Sequence, residues 1–342
     1  MNIVKKLYKW DNQQEMLWKE DEISSNNLLV PFREGLVELN NRSSETIRDN
    51  IKKLYREKIT EHIPKHKKPI NDKELGYYLA GLIDGIGEIN SSNIIIYFNK
   101  YDNSLAYWLK KRIGYGKVKK LYFSVEDIKD KNSINNELKL EITNIDGLVR
   151  ILELINGKLK IKYNEVNNLL LTNKLVNEKY YLNNNEFING KLNDMNNYWL
   201  AGLIDSTGNL NVVLNNMEVI FKLNLNIKSS SNRLINLELN EIKHFLCNIN
   251  NVSCNILDKG IRIESKVLEK NEINNHLYTI SLKLAKNVIR YLTKYHLQSY
   301  KYLNYIYFYK IYLLKENKLS SIIPSDIEKG ILKIKEFISR MR

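Results

Sequence analysis

The chain has 342 residues, enough for two α+β halves and a leader, and its 43% hydrophobic and 27% charged content is that of a globular chain, not a disordered one. Its 53 Lys and Arg outnumber 39 Asp and Glu, and the net charge of +14 favours a polyanionic partner, nucleic acid first. No uninterrupted apolar run reaches membrane-spanning length, and Lys5, Lys6 and Lys9 interrupt any signal-peptide apolar core at the start.

Residues 1–70 read as a basic leader and linker. Ser43-Ser44-Glu45-Thr46-Ile47 opens a predicted helix with Ser43 or Ser44 as N-cap, and Ile47, Ile51 and Leu54 share one face. His62-Ile63-Pro64-Lys65-His66-Lys67-Lys68-Pro69 follows. Its prolines and lysines predict an extended, solvated, basic linker, with a contact to backbone phosphates as the second reading. Pro64 between His62 and His66 argues against a shared metal-binding face.

Tyr77-Tyr78-Leu79-Ala80-Gly81-Leu82-Ile83-Asp84-Gly85-Ile86-Gly87-Glu88 comes next, a short apolar helix stopped by glycine before a strand. It returns as Tyr198-Trp199-Leu200-Ala201-Gly202-Leu203-Ile204-Asp205-Ser206-Thr207-Gly208-Asn209. A long repeat in two copies predicts two similar halves about a pseudo-twofold axis, not a solenoid. Ala80-Gly81 and Ala201-Gly202 are small enough to let two helix backbones meet, so the two copies are expected to pack on each other at the centre.

Between the copies, Ile89 and Ile94–Phe98 predict a hairpin, Ser104–Ile113 a helix, Gly114–Val118 a turn into a strand, Leu138–Ile142 a half-exposed strand and Asp146–Ile155 a helix. A helix is expected from residue 164 to about Lys179, then an exposed Asn-rich linker. After the second copy, Asn211–Leu214 and Val219–Ile227 predict a hairpin in which Lys222, Asn224 and Asn226 line one face. That face suits phosphates and base edges, against the plainer reading of a solvent face. Leu234–Asn248 reads as a helix, Gly260–Glu264 and Leu277–Leu282 as strands, and residues 284–342 as helical. The tyrosine-rich run Tyr300–Tyr309 fits a buried helix better than a base-stacking platform. The halves are thus drawn at 71–180 and 198–342, with 181–197 between them. Cys247 and Cys254 make no metal pattern and read as reduced thiols. Lys, Asn, Ile and Tyr (22 of the last) abound against 4 Pro, and their AT-rich codons point to an AT-rich genome.

The doubled Leu-Ala-Gly-Leu-Ile-Asp-x-x-Gly resembles the LAGLIDADG homing endonucleases and their intron-maturase relatives, over about residues 70–342. The resemblance implies an α+β fold: two pseudo-twofold-related halves, each a curved antiparallel sheet with helices, packed through a central pair of motif helices. It implies a saddle of sheets over nucleic acid, with one lysine of each half near the attacked phosphate: Lys162, with Lys160 as the alternative, in the first half and Lys301 in the second. It also implies a metal-binding carboxylate at the eighth motif position. This chain has Ile86 and Thr207 there; Asp84 and Asp205 are the sixth residues, which the family uses structurally, and Glu88 lies beyond the motif. A hard cation wants carboxylate oxygen, so no metal and no cofactor are expected, Mg²⁺ entering only for an active endonuclease. No catalytic residue is assigned; Asp84, Glu88, Asp205, Lys162 and Lys301 remain weak candidates. The expected function is a mitochondrial, intron-derived, catalytically inactive protein that binds structured RNA, as a group I intron maturase or as a component of a ribonucleoprotein such as the ribosome. An active site-specific DNA endonuclease and a decayed intron reading frame are the alternatives. The expected partners are nucleic acid, RNA before DNA, and other ribonucleoprotein proteins; no membrane is expected, and the chain is expected to be a monomer.

Overall fold

A hydrophobic helix with glycine at its centre is stable only if something packs closely on that glycine, and this requirement organises the fold. The computed structural model describes residues 59–60, 62–121, 138–183, 186–215, 218–229, 232–248, 261–267, 273–279, 282–316 and 332. Met1–Ile59 and Thr60–Arg342 are separate units, and every element below belongs to the second. The expected helix near Ser43–Leu54, the C-terminal helix near Ile327–Ile334 and Cys254 lie outside the described residues.

Helix α1 (Asp72–Ile86) carries the first motif. Asn71 caps it by accepting from the Glu74 amide, while the Glu74 carboxylate accepts from the Ile70 amide. Helix α6 (Trp199–Thr207) carries the second motif, with Asn197 accepting from the Trp199 amide. The two helices touch backbone to backbone. A Cβ on Gly81 would lie 2.0 Å from the Trp199 carbonyl oxygen, and one on Gly202 would lie 2.2 Å from that of Tyr78. Only glycine permits this approach, and Ala80 and Ala201 beside them are fully buried.

The first sheet is β1 (Gly87–Ile89), β2 (Ile94–Phe98), β3 (Lys117–Lys120) and β4 (Leu138–Ile142), antiparallel in the order β1-β2-β4-β3. Ile94, Ile96, Phe98, Leu138, Leu140 and Ile142 alternate onto the buried face. Helix α2 (Asn103–Ile113) covers that face with Leu105, Ala106, Leu109 and Ile113. Helix α3 (Ile145–Ile155), capped by Asn144, packs on α1.

The single helix expected from residue 164 to about Lys179 is two helices, α4 (Tyr163–Thr172) and α5 (Lys174–Asn183). Asn173 divides them. Its amide closes α4 on Leu169, while its side chain caps α5 by accepting from the Val176 amide and donates to Ser91.

The second half repeats the plan. Strands β5 (Gly208–Asn215) and β6 (Glu218–Leu225) form a hairpin, and β7 (Ile227–Ser229) continues β6 after Asn226. Strands β8 (Ile261–Val267) and β9 (Ile273–Thr279) complete the order β7-β9-β8. With β6 and β7 taken as one interrupted strand, the order matches that of the first sheet. Helices α7 (Asn232–Asn248), α8 (Leu282–Lys294) and α9 (Lys301–Glu316) follow. The expected helical stretch from residue 284 is therefore broken at 295–300, for a reason found at Asp205 below. Tyr305, Phe308, Tyr309 and Tyr312 of α9 are buried, consistent with a core helix.

The stretch 62–70 forms neither helix nor strand, but it is not the freely solvated linker expected. It runs as a strap docked on both halves. The His66 ring bonds the Leu297 carbonyl at 2.8 Å, Gln298 donates to the Lys67 carbonyl at 2.9 Å, and Arg112 donates to the Ile70 carbonyl at 3.1 Å. His66 also sits edge-on to Tyr302, with ring centres 4.4 Å apart.

Candidate nucleic-acid interface

The C-terminal ends of α1 and α6 meet under the two sheets, and each is tied by a buried aspartate. Asp84 accepts from the amides of Lys160, Ile161 and Lys162 at 2.9, 3.0 and 2.9 Å, and from the Trp199 indole at 2.8 Å. Asp205 accepts from the amides of Gln298 and Ser299, the Ser299 hydroxyl and the Tyr78 hydroxyl. The arrangement is reciprocal: the aromatic one step before the motif leucine donates to the aspartate of the opposite helix. Burial pushes both carboxyls up and the hydrogen bonds pull them down, with burial prevailing. Each aspartate thus fixes the loop that leads into the next helix, α4 from Asp84 and α9 from Asp205, which is why the chain turns at 156–162 and 295–300. Asp102, just before α2, accepts from the Tyr300 amide at 2.7 Å, and burial raises its pKa to about 7.

Lysines occupy the helix ends. Lys162 Nζ donates to the Gly87 carbonyl, and Lys301 Nζ donates to those of Ile204 and Ser206 at 3.2 and 3.1 Å. A cation there satisfies orphan carbonyls and the negative end of the helix dipole. Burial lowers both lysines, Lys301 to about 8, against the pull of Asp205 and Asp102.

Lys160, expected to touch nucleic acid, is instead only 4% exposed. Its ammonium turns inward to the carbonyls of Lys191 and Leu192 and lies 5.1 Å from the Trp199 ring centre. Two carbonyls and an indole face replace water around the charge, and the side chain is spent on structure.

The outer face of the first sheet carries Glu88, Tyr97, Lys117, Lys119, Lys139 and Glu141. Glu141 pairs with Lys119 at 2.5 Å and Lys139 at 3.6 Å, and the Lys119 bond holds its carboxyl below the usual range. On the second sheet the register sets Asn209 opposite Asn224 and Asn211 opposite Lys222, and Asn226 is exposed beyond them. Along the β5–β6 hairpin this face carries amides and the Lys222 ammonium. The Asn224 side-chain oxygen is enclosed and has no partner among the described residues. Asn209 and Asn211 were missed in the sequence, although the alternation Asn209-Leu210-Asn211-Val212 signals them.

Ile86 and Thr207 are partly buried, and Thr207 donates its hydroxyl to the Leu203 carbonyl at 3.0 Å. Glu88 is exposed and accepts from the Tyr97 hydroxyl at 2.9 Å. Glu165, on the first turn of α4, lies within the fields of Lys162, Asp84 and Glu88, and burial raises its pKa. Sequence reading passed over it because nothing local distinguishes it from an ordinary first-turn acid. Among the described residues, no group of three or more His, Cys, Asp or Glu is placed to hold a metal.

The chain is 34% identical over 304 residues to the uncharacterized cox1 intron-2 37.2 kDa protein of Schizosaccharomyces pombe (strain 972 / ATCC 24843), covering 88% of this chain and 80% of that one. The chain belongs to the LAGLIDADG family of intron-encoded proteins. No protein-family model matches it. Similar solved structures include I-SmaMI bound to uncleaved DNA target with calcium ions, 16% identical, TM-score 0.48, covering 76% of this chain and 96% of that one. The LAGLIDADG meganuclease I-CpaMI bound to uncleaved DNA is 14% identical, TM-score 0.45, covering 76% and 97%. The I-LtrWI LAGLIDADG homing endonuclease bound to target DNA is 18% identical, TM-score 0.46, covering 80% and 99%. In this LAGLIDADG chain the paired motif helices supply the α1–α6 contact, and Ala80, Gly81, Ala201 and Gly202 all lie buried in them. At the helix ends Ile86 offers no oxygen and Thr207 one neutral hydroxyl, and the aspartates Asp84 and Asp205 are committed to the loops.

Proposed function

We propose that this LAGLIDADG protein binds structured RNA and does not cleave DNA, acting as a group I intron maturase in the mitochondrion. The observation that carries the reading is chemical. Phosphodiester cleavage on metal needs charge-bearing ligands to hold the ion and activate water, and positions Ile86 and Thr207 supply none. What remains is a frame for holding a polyanion: two sheets with lysine- and asparagine-bearing outer faces on a chain of net charge +14. The origin of the S. pombe relative in a cox1 intron supports an intron-encoded, mitochondrial chain, and favours a maturase over a ribosomal component. The halves 71–180 and 198–342 act in this reading as one clamp, with 181–197 as its connector.

Glu88 and Glu165, which share the neighbourhood of Lys162, keep the endonuclease reading alive as a second one. One experiment separates them. The full chain is incubated with Mg²⁺ or Mn²⁺ and a library of intronless insertion sites, and the DNA ends are sequenced; in parallel, its binding to a folded group I intron transcript is titrated. Retained RNA binding and splicing stimulation with intact DNA are expected. Specific double-strand breaks, abolished by Glu88→Gln or Glu165→Gln, would overturn the proposal.

A further inference from the structure

The strap and the outer side of α2 share a property the sheets do not explain. Lys65, Lys67 and Lys68 on the strap and Lys111 on α2 are exposed, and none of them, nor Lys110, forms an ion pair with a described residue. Asp72 is the nearby acid, and it is shared between Arg112 at 3.7 Å and Arg150 at 2.5 Å. Aromatic rings lie among the cations. The Trp108 ring has Lys68 Nζ at 5.3 Å and Arg112 Cζ at 5.9 Å from its centre, and Tyr107 is 53% exposed.

The strap is also held in place. Its His66 ring and its Lys67 and Ile70 carbonyls are each bonded to the folded body, so the side chains between these anchors are presented from a held backbone. A surface that pays little ordering entropy on binding is a better contact than a free linker of the same composition. Its location matters as much. Helix α2 covers the buried face of the first sheet, so its exposed side looks away from the face that carries Tyr97, Lys119 and Lys139.

We propose that the strap lysines Lys65, Lys67 and Lys68, with Lys111 and the Tyr107 ring on α2, form a second nucleic-acid contact running along the strap onto the exposed side of α2, taking a single-stranded RNA segment. The lysines bind its phosphates and Tyr107 stacks on a base. Stacking on an exposed ring requires an unpaired base, which decides for single-stranded RNA over a duplex. The contact rests on the RNA-binding reading above and extends it: one folded RNA engages both the sheet faces and the strap.

The test uses the full chain with two probes, a folded group I intron transcript and an oligouridylate. Three variants are compared: Lys65→Ala/Lys67→Ala/Lys111→Ala, Tyr107→Ala, and the sheet-face variant Lys222→Ala. These side chains make no buried contact, so an unchanged melting curve is the check on folding. The triple variant should lower the salt slope of transcript binding by about 2 to 3. Tyr107→Ala should weaken oligouridylate binding by about 5- to 100-fold, the range for loss of one stacked base. Lys222→Ala should leave oligouridylate binding unchanged. Arg at all three lysine positions should restore the slope. If the wild type binds the transcript and Lys222→Ala weakens it while the triple and Tyr107 variants do not, the strap contact is refuted and the RNA reading stands. If the wild type binds neither probe, the RNA reading itself falls and takes the contact with it.

Discussion

Tyr78 and Trp199 tie the two halves together at the helix crossing, each bonding the buried aspartate of the opposite helix. Each gives its one polar hydrogen to a buried aspartate that has no water to fall back on. Phenylalanine at Tyr78 keeps the ring and removes the donor, whereas at Trp199 it removes the donor together with the pyrrole part of the buried indole. Trp199→Phe and Tyr78→Phe should each lower stability by about 1–3 kcal/mol, the cost of leaving a buried acceptor short; urea unfolding checks it, and a neutral result would show the carboxylates are satisfied by their loops alone. Lys301 gives a second test at this scale. Its pKa is about 8 in the fold against an ordinary 10.5. Between those values the unfolded chain holds a proton that the folded chain has lost, so stability rises with pH through that window. Lys158 and Lys162 are lowered by burial and act in the same direction. Above pH 10 the raised tyrosines Tyr78 and Tyr291 oppose them. The urea midpoint should therefore climb from pH 8 toward pH 10, and Lys301→Met should flatten the climb.

The element that tolerates least is the α1–α6 crossing. At Gly81 an added methyl group meets a backbone oxygen at 2.0 Å, which no side-chain rotation can relieve. The helices must separate, and the aspartate bonds that span them stretch together. Gly81→Ala should cost about 3 kcal/mol or more, at the upper end of overpacking, and Gly202→Ala should behave alike because the contact is reciprocal. Calorimetric melting of both variants measures this; a loss within error would mean the helices slide freely. The strap, by contrast, is held by side-chain and carbonyl bonds at its margins, and its loss should weaken the fold less than a single methyl at the crossing.

For the whole molecule, the net charge of +14 is unevenly spent. The lysines of the first sheet face share Glu141, whereas Lys222 on the second has no acidic partner across its register. Nucleic-acid affinity should fall steeply with salt as condensed cations are released. Lys222→Ala should reduce the slope of log affinity against log salt by about 1, read from transcript titrations at several salt concentrations. An unchanged slope would remove the second sheet from the interface. The proposed RNA binding and the proposed lack of cleavage belong to this scale, because both would depend on both helix ends and both sheets at once.

Much of this was legible in the residues. The doubled motif specified two halves and a glycine contact, because close helix approach demands small residues at one spacing, and that demand is local. Alternation along Leu138–Ile142 and Phe221–Ile227 sorted buried from exposed faces, because strand geometry has a period of two. That Ile86 offers no oxygen and Thr207 only a neutral hydroxyl was readable too, since a side chain's own atoms are the same in any fold. Other features waited for the tertiary structure. The Trp199–Asp84 bond spans 115 residues, and no local pattern encodes such a partner. Lys160 and Lys162 look alike in sequence, yet Lys160 is buried against Trp199 and two carbonyls while Lys162 caps a helix end. The break at Asn173 and the docking of the 62–70 strap were hidden for the same reason. Helical periodicity and basic composition report what a segment can do alone, whereas burial and hydrogen-bond partners are set by the surfaces that the rest of the chain brings against it.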